Sequence, residues 1–290
     1  MSKNKIFYGK SVHGNEEIKA VVSTIRNSTQ MGKNVSKFES NVSKLFNKKY
    51  GVMVNSGSSA IHLLFDLLSL PRKSEIILPS LNFATPISSI IKFGLIPNFV
   101  DVKLETLCID EEKIESSINK NTKAIFIPNL IGSLPDWKKL RKIANKHNLL
   151  LIEDSADTMG AKIDGQSTGK YSDFSICSFY GSHIINCAGN GGILCLNKKK
   201  DYLRALILRS WGRDSSIFKE SEKIENRFKV KLGKYDYDAK FLFSELGYNF
   251  EPSEIGASFG NVQLKKLSHN LKVRNKHQKK YENYFNKRKK

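Results

Sequence analysis

The sequence predicts an α/β protein built on a mostly parallel sheet with helices over both faces. From about residue 50 onward, short apolar runs alternate with amphipathic ones, the pattern of successive βα units. Gly/Ser-rich or acidic turns follow several of the apolar runs, at the strand ends where such sheets place ligands. A chain of 290 residues with 40% apolar residues has enough material to bury one large core.

Strands are expected over residues 51–54, 75–78, 96–100, 124–128, 149–154, 174–179 and 192–196, with helices between them at 59–68, 86–93, 110–118 and 135–146. Asp110 and the two glutamates after it put acid at a helix start, where the macrodipole favours it. Pro135 stands where a missing N–H costs least. Before the sheet, residues 16–26 and 38–46 carry apolar spacings of three and four, so residues 1–49 read as a helical segment packed on the main domain. Residues 215–245 are polar and aperiodic, an extended loop, and a last helix is expected from 254 to about 285. The organisation expected is a helical segment at 1–49, a large α/β domain at 50–210, and a loop region with the start of a small domain at 211–290.

Composition narrows the function classes. No apolar run reaches the roughly 20 residues that span a bilayer, and the first residues lack a signal-peptide apolar stretch, so a cytoplasmic protein without a membrane partner is expected. Cys108, Cys177, Cys187 and Cys195 match no zinc or C-x-x-C spacing and read as buried thiols. The net charge of +20 would attract polyanions, yet no aromatic-interleaved basic module accompanies it, and no nucleic-acid partner is expected. The same charge would steer a doubly phosphorylated nucleotide sugar, although lysine- and asparagine-rich composition alone accounts for it more simply.

Four pieces of sequence carry chemistry, and each has a plain structural reading beside the functional one. Asn55-Ser-Gly-Ser-Ser59 opens a helix: its free N–H groups suit a phosphate, though serine is also an ordinary N-cap. Asp154, in Ile152-Glu-Asp-Ser-Ala-Asp157, ends an apolar strand, where it would pair with a ring nitrogen or merely cap the next turn. Phe83 would stack on a planar ring or fill a core. Ser178-Phe-Tyr-Gly-Ser-His183 runs into Gly189-Asn-Gly-Gly192, whose glycines let backbone approach a ligand. His183 there is either a structural hydrogen-bonder or a proton-transfer group suited to neutral pH.

Taken together, these motifs resemble the sugar aminotransferases of the DegT/DnrJ/StrS family. The likeness runs from about Phe7 to Phe285 and includes Gly94-Leu-Ile-Pro-Asn-Phe-Val-Asp-Val102, Trp211-Gly-Arg-Asp214 and Leu246-Gly-Tyr-Asn249. It implies aminotransferase fold type I and a pyridoxal 5'-phosphate or pyridoxamine 5'-phosphate cofactor. Gly57, Ser58 and Ser178 would hold the phosphate, Phe83 would stack on the ring, Asp154 would pair with its nitrogen and Asp157 would lie near its hydroxyl. Asn249 would reach the phosphate of a neighbouring subunit, making the protein a homodimer with a shared site; a turn is the plain reading of Asn249, and a surface ion pair that of Arg213.

One departure sets the reaction. Most members of the family carry a Schiff-base lysine at the position of His183, and imidazole moves protons but forms no stable imine. The resemblance is therefore to the 3-dehydrase branch, which implies a 3-dehydratase (a lyase) acting on a nucleotide-linked 4-keto-6-deoxyhexose in deoxysugar, O-antigen and lipopolysaccharide biosynthesis. In the implied reaction His183 removes a proton from the cofactor's aminomethyl carbon, the hydroxyl at sugar C3 departs, and Asp154 keeps the ring protonated. The CDP-sugar members of the branch hold an iron–sulfur cluster on cysteines after the Trp-Gly-Arg-Asp motif. No cysteine follows Asp214 here, so no cluster or other metal is expected, and glutamate is the expected amino donor. Family members usually continue well past residue 290, so the small domain is expected to be incomplete. The alternatives are a nucleotide-sugar aminotransferase and a catalytically dead relative.

Overall fold

The computed structural model describes residues 9–218 and 223–288. The amino-terminal residues 1–8, residues 219–222 of the expected loop, and the last two lysines of the basic tail lie outside the described residues. Helices α1 (Asn15–Asn27) and α2 (Lys33–Leu45) lead into strand β1 (Tyr50–Val54) and helix α3 (Gly57–Leu68). There follow β2 (Glu75–Pro79), α4 (Ala84–Lys92), β3 (Ile96–Val100), the single turn α5 (Ile114–Ser117), β4 (Thr122–Pro128), α6 (Trp137–Lys146) and β5 (Leu150–Asp154). A two-residue ribbon, β6 (Lys162–Ile163) with β7 (Gln166–Ser167), precedes β8 (Phe174–Ser178), β9 (Gly192–Leu196) and α7 (Lys199–Arg209). After these come α8 (Ile224–Arg227), the hairpin β10 (Val230–Leu232) with β11 (Tyr235–Tyr237), and the long α9 (Glu254–Asn286).

Seven strands form the main sheet in the order β1-β9-β8-β5-β4-β2-β3. Only β9 runs against the rest, antiparallel to both β8 and β1. Alternation along the strands splits the core in two. Val52, Val54, Ile76, Leu78, Phe126, Ile152, Ile176 and Leu194 pack with α3, α4 and α7 on one face. Residues between them face the other way: Met53, Cys177, Ile193 and Cys195 meet α2 and α9, while Ile77, Ile125, Ile127 and Leu151 meet α6.

Local chemistry explains where the helices begin. Ser56 caps α3 by accepting the Ser59 N–H at 3.0 Å, Asp136 caps α6 through Lys139 N–H at 2.9 Å, and Ser253 caps α9 through Gly256 N–H at 3.1 Å. Helix α2 is capped from a distance. The buried Glu254 carboxylate accepts the N–H groups of Gly32, Asn34 and Val35 at 2.8, 2.7 and 3.1 Å, satisfying orphan donors that no local side chain reaches.

The expected helix at 110–118 shrinks to one turn. Ile109 bridges to Val102 and Asp110 N–H donates to Asp101, so this stretch stays extended. The Asp110 side chain then accepts the Glu112 N–H at 3.2 Å, making a turn in place of a first helical turn. Helix α7 lies outside the expected elements, because Lys198-Lys-Lys-Asp201 hides its start. The expected loop at 215–245 does contain the hairpin β10–β11, turned at Gly233 with φ +61°. The rest matches the sequence reading within a few residues, α1 and α2 included.

Helix α1 is fastened to α9 by one fully buried acid. Glu17 accepts from Lys266 Nζ at 2.7 and 2.8 Å, Gln263 Nε2 at 2.7 Å and Gly14 N–H at 2.9 Å. Burial alone would push its carboxyl up, but these donors outweigh burial and bring its pKa from 4.5 to about 2. The carboxylate therefore contributes stability above pH 4.5 that is lost as pH falls towards 2. Glu17→Gln is expected to lower unfolding free energy at pH 7 by about 1–2 kcal/mol, a value reduced because Lys266 is partly exposed. The gap between variant and wild type should close below pH 4.5 in denaturant titrations; a gap unchanged down to pH 3 would exclude the linkage.

Candidate active site

The strand parity that divides the core also builds the site. Ile152 and Ile176 face α3, so Asp154 and Ser178, two residues on, face the same side at the carboxyl ends of β5 and β8. The first turn of α3 lies against Ser178. A Cβ on Gly57 would stand 2.7 Å from Ser178 Cβ, and a Cβ on Gly192 would stand 2.2 Å from the Ser56 carbonyl oxygen. Only glycine permits either approach. Ser56 accepts the N–H groups of Ser59 and Ala60, which leaves those of Gly57 and Ser58 pointing out of the helix without an intrahelical acceptor. Ser58 Oγ meets Thr85 Oγ1 at 3.3 Å, a hydroxyl the sequence reading did not single out. These groups make an anion cradle at the positive end of a buried helix.

Asp154 is 8% exposed and accepts the Ala156 N–H at 3.0 Å. Among the described residues it has no ion-pair partner. Burial, with the nearby charges of Asp157 and Glu153, raises its pKa to about 7. Phe83, by contrast, is 69% exposed at the exit of β2, so its ring is a free face and not core filling.

His183 sits in the loop between β8 and β9. Its Nδ1 lies 3.2 Å from the Ser178 carbonyl, and its Nε2 lies 3.8 Å from Asp157 Oδ1. A carbonyl oxygen only accepts, so Nδ1 carries a hydrogen and Nε2 is the nitrogen that faces the carboxylate. The two arms of the loop are joined to each other by Phe179 N–H to Gly191 and Gly181 N–H to Gly189, at 2.8 and 3.0 Å. Tyr180 stands edge-on to the imidazole at 6.1 Å.

The structure thus brings together Gly57, Ser58, Ser178, Asp154, Asp157 and His183. Asn249 is placed less directly. Its carbonyl accepts from Asn55 Nδ2 at 3.3 Å and Phe250 accepts the Asn55 N–H at 3.1 Å, while the Asn249 side chain is exposed. Among the described residues Arg213 forms no ion pair; its guanidinium stacks on Trp211 at 4.7 Å and lies 5.9 Å from the Phe243 ring. All four cysteines are buried free thiols.

The donor set can be tested against a pyridoxal phosphate group. Free helix N–H groups and hydroxyls match its phosphate, and an exposed aromatic face matches its ring. A buried acid without a cation matches its protonated nitrogen, which would relieve the desolvation that raises Asp154. The residues fit the group. Missed by sequence reasoning was Asn129, buried at the end of β4, whose partners lie 8 to 29 positions further along. No local pattern announces it.

Comparison with known proteins agrees with this geometry. The chain is 33% identical over 250 residues to the dTDP-4-dehydro-2,6-dideoxy-D-glucose 3-dehydratase of Saccharopolyspora spinosa, covering 82% of this chain and 54% of that protein. It is 32% identical over 270 residues to the GDP-4-keto-6-deoxy-D-mannose 3-dehydratase of Escherichia coli O55:H7, covering 90% and 67%. The chain therefore spans between about half and two thirds of the length of these relatives. The crystal structure of a variant GDP-4-keto-6-deoxymannose-3-dehydratase with bound GDP-perosamine superimposes with a TM-score of 0.87 at 29% identity, over 96% of this chain and 72% of that one. The defining sequence pattern of one family matches residues 12–290: the chain belongs to the DegT/DnrJ/EryC1/StrS aminotransferase family.

Proposed function

We propose that this chain is the cofactor-binding part of a pyridoxal or pyridoxamine phosphate-dependent 3-dehydratase of nucleotide-linked 4-keto-6-deoxyhexoses, serving deoxysugar and lipopolysaccharide synthesis in the cytoplasm. The observation that carries the reading is His183: an imidazole, not a lysine, faces Asp157 at the mouth that Asp154 and the α3 cradle define. The relatives named as 3-dehydratases support the same reaction. Residues 50–210 would form the cofactor domain, with 1–49 as its helical brace and 211–290 supplying the active-site loop and the start of a small domain.

Pyridoxamine phosphate, when bound, supplies an amine for the substrate's keto carbon and a ring that accepts electrons. The chain's own groups do the rest. Gly57, Ser58 and Ser178 hold the phosphate, and Asp154 keeps the ring nitrogen protonated. Phe83 covers one ring face against water. His183 takes up a proton at Nε2 and returns it to the departing hydroxyl, and the Asp157 charge stabilises the imidazolium in between. Glutamate is the proposed amino donor. A homodimer with Asn249 reaching the partner's phosphate is the proposed assembly, supported by the exposed Leu246 and Phe243 beside that segment.

Mass spectrometry of a nucleotide-linked 4-keto-6-deoxyhexose incubated with the chain, pyridoxal phosphate and glutamate tests the reading. A keto sugar lighter by one oxygen is expected; a stable amino sugar would make the protein an aminotransferase. His183→Asn should cut product formation by about a hundredfold or more while leaving cofactor affinity within about threefold. His183→Lys should bond the cofactor covalently, seen as added mass after borohydride reduction, and lose dehydration. No added mass would mean that position 183 faces away from the cofactor.

Asp154 gives a prediction of opposite sign for stability and binding. Its folded pKa of about 7 lies above the ordinary 3.8, so stability falls as pH rises from 3.8 to about 7 and stays reduced above that. Asp154→Asn should stabilise the cofactor-free chain by roughly 1–3 kcal/mol above pH 7 and weaken pyridoxal phosphate binding by at least about tenfold. Melting curves and a binding titration on the same samples check both signs.

A further inference from the structure

Strand β5 ends in two adjacent acids that face opposite sides of the sheet. Asp154 faces the site, whereas Glu153 is fully buried beneath it. Glu153 Oε1 accepts from Asn129 Nδ2 at 3.0 Å, Ser155 Oγ at 2.8 Å and the Thr168 hydroxyl; Oε2 accepts from Ser175 Oγ at 2.7 Å. Lys48 reaches this group through Ser172, whose hydroxyl lies 3.2 Å from Nζ and 3.4 Å from Glu153 Oε2.

Asn129 directs its N–H, its carbonyl and its Nδ2 at the neighbourhood of Asp154. Its N–H donates to the Asp154 carbonyl at 2.8 Å, and its Nδ2 donates to Glu153 and, at 2.8 Å, to Ser155. Its carbonyl accepts from Thr158 Oγ1 at 2.5 Å, and its Oδ1 accepts from Trp137 Nε1 at 2.8 Å, anchoring it to α6. The asparagine is 1% exposed. A residue that only satisfied its own polarity would need none of this focus on positions 153, 154, 155 and 158.

We propose that Asn129 is the positioning residue of this site: it clamps the turn from Asp154 to Thr158, so that one acid meets the cofactor ring and the other meets His183. The clamp itself is independent of ligand, while its consequence for the ring rests on the cofactor reading above. A primary amide is required because two donors and one acceptor must point in fixed directions at once. A carboxylate in its place would set two like charges about 3 Å apart against Glu153.

Asn129→Asp keeps the volume and the Trp137 bond but removes both side-chain donations. In the cofactor-free chain, amide hydrogen exchange at residues 154–158 should quicken by about tenfold or more, with β4 and β8 unchanged. Pyridoxal phosphate should bind at least about tenfold more weakly, with an altered visible spectrum. Adding Glu153→Gln returns a donor to the pair, and the double variant should recover exchange and binding to within about threefold of wild type. Uniform loss of protection across the sheet, unchanged exchange, or a double variant no better than the single one would overturn the proposal. If Asn129→Asp does not fold, Thr158→Val removes the bond to the Asn129 carbonyl alone and must show the same local quickening, or the proposal fails. If wild type does not bind pyridoxal phosphate, the cofactor reading falls, and the exchange pattern still decides the role of Asn129.

Discussion

Everything at this site depends on how closely the start of α3 approaches the ends of β8 and β9. Gly192 lies flat against the Ser56 carbonyl and Gly57 against Ser178, and a single methyl at either would collide with main chain or Cβ. That contact aims the positive end of a buried helix at a serine hydroxyl on a rigid strand. It is possible because β9 runs antiparallel between β8 and β1, so the chain leaves β8, loops over the strand ends and returns beside the residue that precedes α3. The same return path carries His183. One close contact thus sets the anion cradle and the span that the loop bearing His183 has to cross.

The electrostatics follow a similar logic of opposed faces. A buried acid is tolerable where donors surround it, as at Glu153, Glu17 and Glu254. Asp154 is the exception: it accepts one backbone N–H, has acidic neighbours, and is pushed towards neutrality. A chain optimised only for stability would replace it with an amide or an apolar residue. An unsatisfied acid at the mouth of a satisfied network is what a binding site for a protonated heterocycle looks like, where stability yields to function.

Much of this was legible in the sequence because its causes are local. Apolar runs with turn residues mark the strands, a serine N-cap marks α3 and Pro135 the start of α6, and the candidate site residues fall at the strand ends where an α/β sheet puts ligands. What stayed hidden has distant causes. Helix α2 takes its cap from Glu254, more than 200 positions away, and the helix expected at 110–118 yields to a bridge with Val102 that no propensity reveals. Asn129 follows Pro128 at a strand end; only the fold shows that its N–H, carbonyl and Nδ2 all go to residues between Glu153 and Thr158.

The histidine explains why the surrounding loop is so firmly held. A lysine has four rotatable bonds along its side chain and can correct for an imprecise backbone, whereas an imidazole has two and cannot. A site that relies on imidazole must place the main chain itself. Here the ring is fixed through Nδ1 on the Ser178 carbonyl, the His183 N–H donates to Tyr180 at 3.0 Å, and Asn186, buried three residues on, donates to Ser11 at 2.9 Å. The loop is therefore pinned to its own strand on one side and to the N-terminal segment on the other. Exchanging lysine for histidine is then more than a change of side chain: it moves the burden of precision from the side chain to the backbone, and the bonds at both ends of this loop carry it.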